Sequence, residues 1–451
     1  MTSARSSDEA RGVRFEPAPL GGELRPPPDK SISHRAALVG AICKGPTRVS
    51  GYLDSADTRA TLRAVEAVGA VVSQGDSDPN GGFFVEVQGV GLRGASPAAI
   101  DVGNAGTLLR IMPGWLAGQP GGEWELDGDE SIRRRPVDRI AEPLGGMGAS
   151  IESRDGLPPL VVRGSPLRGI DYEMPVASAQ VKSCLLLAGL LAEGETTVHE
   201  PAPSRDHTER MLAAAGVAIR RDGDSVTVEP VAELESGDVT VPGDFSSAAF
   251  FLCAALIVPG SELTLREVGI NRHRIGLLSI ISRMGVEMGG AHEHERERDV
   301  VVHEIRDPGP EPMASLRVRP VRLRGAEVGA EDVPGAIDEL PLVALLGCFA
   351  EGETVVSGAA ELRRKESDRI EAVVDGLTAL GARIEARPDG FAVEGTGELR
   401  GGTIDARGDH RMAMLGAVAG LASREGVEVT GFDAVEVSYP GFARDLTAVT
   451  T

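Results

Sequence analysis

The sequence predicts an α/β protein of two domains, each assembled from three copies of one helix-and-strand unit. Three observations lead there. A pattern recurs six times, with copies at Arg35, Arg110, Leu185, Phe250, Leu342 and Gly416: a polar or basic start, a small-residue apolar helix, a Gly-containing turn, and a strand of alternating apolar residues. Each of the first five strands is followed by a polar loop, a second amphipathic helix ending at a glycine suited to C′ (Gly69, Gly148, Gly216, Gly285 and Gly381), and another strand. Finally, 451 residues exceed what a single ordinary core accommodates.

Taken in order, the units divide into three and three. The crossing is expected at VPGDFSS (Val241–Ser247), where Pro and Gly punctuate the chain. One domain then covers 30–243 and the other combines 1–29 with 244–451. The sixth unit stops after its second helix, around GFARDLTAV, so its missing strand is expected from the N-terminal segment before Pro26. The polar stretch Gly289–Pro312 lengthens the fourth interval and reads as a surface excursion. Its His292 and His294 suit a solvated charged loop better than a metal site.

Composition narrows the function. Apolar runs such as CLLLAGLLA and FFLCAALIV fall well short of the ~18 residues that span a bilayer. No membrane span is expected, and the opening MTSARSSDEARGVR lacks an apolar secretion signal. Cys43, Cys184, Cys253 and Cys348 form no CxxC pair and suit reduced core thiols in a cytoplasmic protein. A net charge of −22 and an aromatic content of 3% argue against a nucleic-acid partner. No metal or cofactor motif stands out, and a monomer is expected.

The informative residues cluster at two equivalent points of the repeat. One is the start of the first helix: Lys30, Ser31 and Arg35; Asn104, Gly106, Thr107 and Arg110; Ser178, Gln180 and Lys182; Asp244, Ser246 and Ser247; Asp338 and Glu339; Asp409, His410 and Arg411. The other is the loop before the second helix, with Arg133 to Arg135, Ser204 to His207 and Arg363 to Arg369. Helix N-termini carry unpaired N–H groups and about half a positive charge, so several aimed at one cleft make an anion site. Ser31 and Arg35, Ser178 and Lys182, and Lys365 and Arg369 are each one helical turn apart and can face one ligand. Taken singly, these features have plainer readings as helix caps, tight turns or solvated faces. Their joint recurrence favours a small polyanion. Asp338, beside an apolar run, is a candidate for a shifted pKa.

The strings DKSISHR, GNAGT, RRP, SAQVKS, RDHTE, IDELP, RRKESDR and DHRMAM, in this order and approximate spacing, resemble the 3-phosphoshikimate 1-carboxyvinyltransferase family over nearly all the chain after residue 25. The resemblance implies the two-domain enolpyruvyl-transferase fold, each domain three βαβαββ-type units around parallel helices. It implies transfer of the enolpyruvyl group of phosphoenolpyruvate to the 5-hydroxyl of shikimate 3-phosphate, with neither metal nor cofactor. Lys30, Ser31, Arg35, Ser178, Ala179, Gln180, Ser204, Arg205, Asp338 and Lys365 match the shikimate 3-phosphate site. Lys30, Asn104, Gly106, Arg135, Gln180, Arg369 and Arg411 match the phosphoenolpyruvate site. Asp338 matches the residue beside the attacking hydroxyl; Glu366 and Lys30 are candidates for exchanging a proton with the methylene carbon.

The chain departs from the pattern twice. Ala179 stands where many members have Ser, and Val437 where many have Lys; both resemble the bacterial subgroup containing glyphosate-tolerant enzymes, whereas Gly106 resembles the sensitive type. The nearest rival is the carboxyvinyltransferase acting on UDP-N-acetylglucosamine, many members of which carry a loop Cys that Asp127–Pro136 lacks. A non-catalytic or RNA-end-processing protein on a related repeat is the rival of a different class.

Overall fold

A computed structural model of the chain describes residues 12–78, 82–290 and 298–451. Six helices organise it: α1 (Lys30–Ile42), α2 (Gly106–Ala117), α3 (Ala179–Gly189), α4 (Phe245–Ile257), α5 (Leu340–Phe349) and α6 (His410–Ala422). They are apolar nearly all round, as helices surrounded by protein must be. Every residue of α4 is buried, and the outer face of each unit is covered by sheet and by the second helix.

Each unit carries its own small sheet. In the second unit Ala98–Asp101 runs parallel to Glu123–Asp127, which pairs antiparallel with Leu157–Arg163, and that strand pairs with Ser150–Arg154. The buried residues gather in two clusters. One draws on residues from Ile32 to Val241; the other on Leu20, Leu24 and residues from Phe245 to Val449.

Three strands are borrowed: the first and fourth units start at a helix with no strand of their own to lead it, and the sixth lacks its last strand. Val239–Thr240 lies parallel to Lys44–Tyr52 and completes the first unit's sheet. Gly21–Leu24 lies parallel to Glu262–Gly269 and does the same for the fourth. Val13–Phe15 pairs antiparallel with Val427–Thr430 and supplies the strand missing from the sixth unit, as expected from the sequence. Where the chain passes between lobes, the two segments are laced together: the Asp29 N–H donates to the Pro242 carbonyl and the Asp244 N–H to the Pro27 carbonyl, both at 2.8 Å. Asp29 and Asp244 then cap α1 and α4.

The stretch 289–312 is a correction to the sequence reading. Val300–Arg306 is a strand, antiparallel to Met313–Val318, because its VVV run has a sheet face to bury. His292 and His294 lie outside the described residues.

The five punctuating glycines all have positive φ, from 87° to 106°. Behind each, the next residue's N–H reaches back to the last helical turn, as Ala70 to the Val65 carbonyl (3.0 Å) and Ala382 to that of Leu377 (3.0 Å). Gly114 has a different task. A Cβ there would lie 1.9 Å from the Cys184 carbonyl oxygen, so α2 and α3 touch backbone to backbone. Gly114→Ala is therefore expected to cost about 1–3 kcal/mol, lowering the midpoint of thermal unfolding by roughly 2–4 °C per kcal/mol. An unchanged midpoint by circular dichroism would contradict this contact.

Candidate active site

A cavity of about 550 Å³ lies between the lobes, and the starts of all six central helices open onto it. Lys30 and Ser31 come from α1, Gly106 and Thr107 from α2, Ser178 to Gln180 from the start of α3, Ser246 and Ser247 from α4, Asp338 from the turn before α5, and His410 and Arg411 from α6. Arg135, Ser204, Arg205, Lys365, Glu366 and Arg369 add the second class of loop. Every residue singled out for either ligand is thus on the wall, except Arg35.

Arg35 is buried behind the wall. Its guanidinium donates to Thr208 Oγ1 (2.8 Å), to Ser183 Oγ (3.3 Å) and to the Ser31 carbonyl (3.0 Å), tying α1 to α3. Burial, then repulsion from Arg205, pushes its pKa down to about 10. Lys182 is likewise not ligand-facing. It is fully buried against Glu200 (2.6 Å) and Glu209 (2.8 Å). One turn into a central helix is already inside the packed lobe; of these positions, Arg110 on α2 reaches the cavity, and its Nη1 donates to Gln180 Oε1 at 3.1 Å.

Asp338 is the electrostatic focus. Its side chain is 13% exposed, and five cations surround it. Oδ2 faces Arg205 (2.5 Å), Arg274 (3.5 Å) and Arg411 (3.6 Å); Oδ1 faces Arg369 (3.5 Å) and Lys365 (3.9 Å). Burial alone would raise the pKa, but these charges, Arg411 and Arg205 foremost, hold the carboxyl well below its usual range. Its neighbour Glu339 goes the other way, raised chiefly by burial. Arg205 belongs to the first lobe, so this contact spans the cleft; Arg139 to Glu361 (3.1 Å) and Arg135 to Glu366 (3.7 Å) span it too.

Glu366 is a second internal anion. Arg369 Nη2 donates to it at 2.5 Å, and although burial favours the neutral form, Arg369 and Arg135 keep it ionised. Arg369 itself is anchored by Asp409 at 2.8 Å. Asn104 accepts from Arg135 Nη2 (3.1 Å) and aims it. Gly106 leaves that guanidinium room, since a Cβ at 106 would come within 2.8 Å of Arg135 Nη1. Lys30 pairs with Asp57 at 3.2 Å. Burial and the nearby Lys30, Arg411 and Arg369 push His410 down to about 3, so it faces the cavity neutral. Ser178 both caps α3 and lines the wall, while the Ser204 hydroxyl is committed to Glu200. Ala179 and Val437 contribute apolar surface at the two departures.

Sequence reasoning missed Arg274 and Asp57, although a signal existed. Arg274 lies in the loop before a unit's second helix, the position that also presents Arg135, Arg205 and Lys365, and Asp57 lies in the first turn of such a helix, Ala56–Ala67. Among the described residues no group of three or more His, Cys, Asp and Glu side chains is placed to hold a metal, and no helix is long and apolar enough to cross a membrane.

The family model described as EPSP synthase (3-phosphoshikimate 1-carboxyvinyltransferase) matches residues 15–446. The 3-phosphoshikimate 1-carboxyvinyltransferase of an Anaeromyxobacter species is 50% identical over 427 residues, 94% of this chain and 95% of its own; that of Alkalilimnicola ehrlichii is 48% identical, over 94% and 92%. The solved EPSP synthase of Acinetobacter baumannii superposes with a TM-score of 0.84 at 38% identity, covering 97% of this chain and 98% of its own. The chain with six helix starts and five cations converging on Asp338 belongs to the EPSP synthase family.

Proposed function

We propose that the protein transfers the enolpyruvyl group of phosphoenolpyruvate to the 5-hydroxyl of shikimate 3-phosphate, releasing phosphate, in the shikimate pathway to chorismate and aromatic amino acids. The observation that carries this reading is a cavity between two lobes in which helix N-termini and five cations face one ionised aspartate. Such a site suits two small polyanions and a base at once. The relatives' names favour the shikimate acceptor over UDP-N-acetylglucosamine. We place the domains at 30–243 and at 1–29 with 244–451, the enzyme in the cytoplasm, and the active unit as a monomer; four buried free thiols suit a reducing compartment.

In this scheme shikimate 3-phosphate lies against Lys30, Ser31, Ser178, Ala179, Gln180, Arg205 and Lys365, with Ser204 supporting through Glu200. Arg35 contributes indirectly by fixing the Ser31 carbonyl and the first turn of α1. Phosphoenolpyruvate lies against Lys30, Asn104, Gly106, Arg135, Gln180, Arg369 and Arg411. Asp338 accepts the proton of the 5-hydroxyl as its oxygen bonds to the central carbon, while Glu366 or Lys30 protonates the methylene. Loss of phosphate from the tetrahedral adduct, with return of a methyl proton, restores the double bond. Arginines already in place stabilise charge as it moves.

Glu366 fits this role because of what it touches. Arg369 and Arg135 hold it in the charged form. An incoming carboxylate competes for the same guanidinium groups, weakens their hold and raises the Glu366 pKa toward a proton-donating range. Closure of the lobes excludes water and sets residues of both lobes, Arg205 and Asp338 among them, around one cavity.

The direct test mixes purified protein with both substrates, without added metal, and follows phosphate and the enolpyruvyl product together. Release that requires both substrates is expected; no release from folded protein would reject the reading. Asp338→Asn is expected to lower kcat by about 10²–10⁴-fold, the usual contribution of a general base, with both substrates still bound in equilibrium titrations. Near-normal turnover would remove Asp338 from the role. Arg411→Ala, deleting a charge-assisted contact of about 1.5–3 kcal/mol, should raise KM for phosphoenolpyruvate roughly 10–100-fold and that for shikimate 3-phosphate far less. Equal effects on both would contradict its assignment.

A further inference from the structure

Arg274 has no assigned role in the scheme above, yet it is among the most enclosed cations at the site. It sits in the loop between the strand Glu262–Gly269 and the helix Gly276–Arg283, with its side chain 6% exposed. Its guanidinium faces three carboxylates of its own lobe: Asp338 Oδ2 at 3.5 Å, Glu339 Oε1 at 3.6 Å and Asp244 Oδ1 at 3.4 Å. Asp244 caps α4, and Ser246 of that helix donates to Glu339, so Arg274 joins a helix start to the turn carrying Asp338.

The other four cations around Asp338 differ in what they are available for. All five line the cavity, but Arg205, Lys365, Arg369 and Arg411 are the ones set against the substrates' phosphates and carboxylate in the scheme above, and Arg205 belongs to the opposite lobe. Each has a substrate anion to turn toward, although Arg369 also stays anchored by Asp409. Arg274 is held by Asp244 and Glu339 as well as by Asp338, and two of those three partners are protein groups with no part in the chemistry. A buried cation with such partners cannot leave without stranding unpaired charge. We propose that Arg274 is the positioning residue for Asp338: it remains with the aspartate when the substrates draw off the other cations, and keeps its carboxylate charged and aimed at the reacting hydroxyl. This rests on Asp338 being the base.

The test compares Arg274→Gln, Arg274→Lys and Asp338→Asn in the full chain, reading kcat and both KM values from the lowest pH at which the protein stays folded up to about pH 9. The charged groups facing Asp338 are Arg205, Arg274, Lys365, Arg369, Arg411 and Glu339. Removing a cation raises a carboxyl pKa, so Arg274→Gln should move the acidic limb of kcat upward by about 1–3 pH units. We expect kcat to fall at neutral pH with each KM within about threefold, and Arg274→Lys to bring the limb back toward that of the parent. A purely structural role would lower thermal stability without moving the limb. Should Arg274→Gln fail to fold, Arg274→Gln with Glu339→Gln balances the buried charge; its limb, set against Glu339→Gln alone, should show the same upward shift. An unmoved limb in a folded variant overturns the inference, as does a raised KM at unchanged kcat. If Asp338→Asn turns over normally, the base assignment itself fails; if it is inactive while Arg274→Gln keeps the parent limb, only the role of Arg274 falls.

Discussion

Charge concentration around Asp338 constrains the rest of the molecule. Five cations held within 4 Å of one carboxylate would repel one another strongly, and the protein answers with Asp338, Glu339, Glu366 and Asp409 set among them. The site is thus a network in which carboxylates occupy positions that substrate anions can contest. That explains how a chain of net charge −22 keeps a local anion trap: the site's own cations are gathered on one cavity between the lobes.

Placing those groups is the work of the repeat. A single helix start offers a few N–H groups and about half a charge; six starts converging on one cavity multiply the effect and fix the geometry on buried, backbone-packed helices. Gly114 shows the same economy of space, since α2 and α3 meet without a side chain between them. The lobes are joined by two laced segments beside the caps Asp29 and Asp244, so the connection lies at the foot of the site it serves. Burial and the nearby Asp244 raise the Asp29 pKa, which makes this crossing another place where like charges are held close.

Much of this was legible in the sequence because its local signals are strong. Apolar helices with small residues, C′ glycines, and polar or basic helix starts recur six times, and the loss of a final strand in the sixth unit pointed to the N-terminal segment. The borrowed strands Gly21–Leu24 and Val239–Thr240 were not foreseen: they are short and half-exposed, and their partners are more than 180 residues away. Arg35 and Lys182 were misplaced for a different reason. An i,i+4 spacing shows which face two residues share but not how deep the helix lies, and both positions fall behind the cavity wall. Arg274 was overlooked because NRHR looks like an ordinary surface loop; alignment with the other units' second loops was the clue.

The claim that substrates displace internal ion pairs at Asp338 and Glu366 is tested most directly by a crystal structure with shikimate 3-phosphate bound. The account predicts the phosphate beside Ser178 and Arg205, the 5-hydroxyl within hydrogen-bonding reach of Asp338, and Arg205 turned from Asp338 toward the ligand. A phosphate bound outside this cavity, or an Asp338 still enclosed by the same five cations with the ring elsewhere, would contradict it.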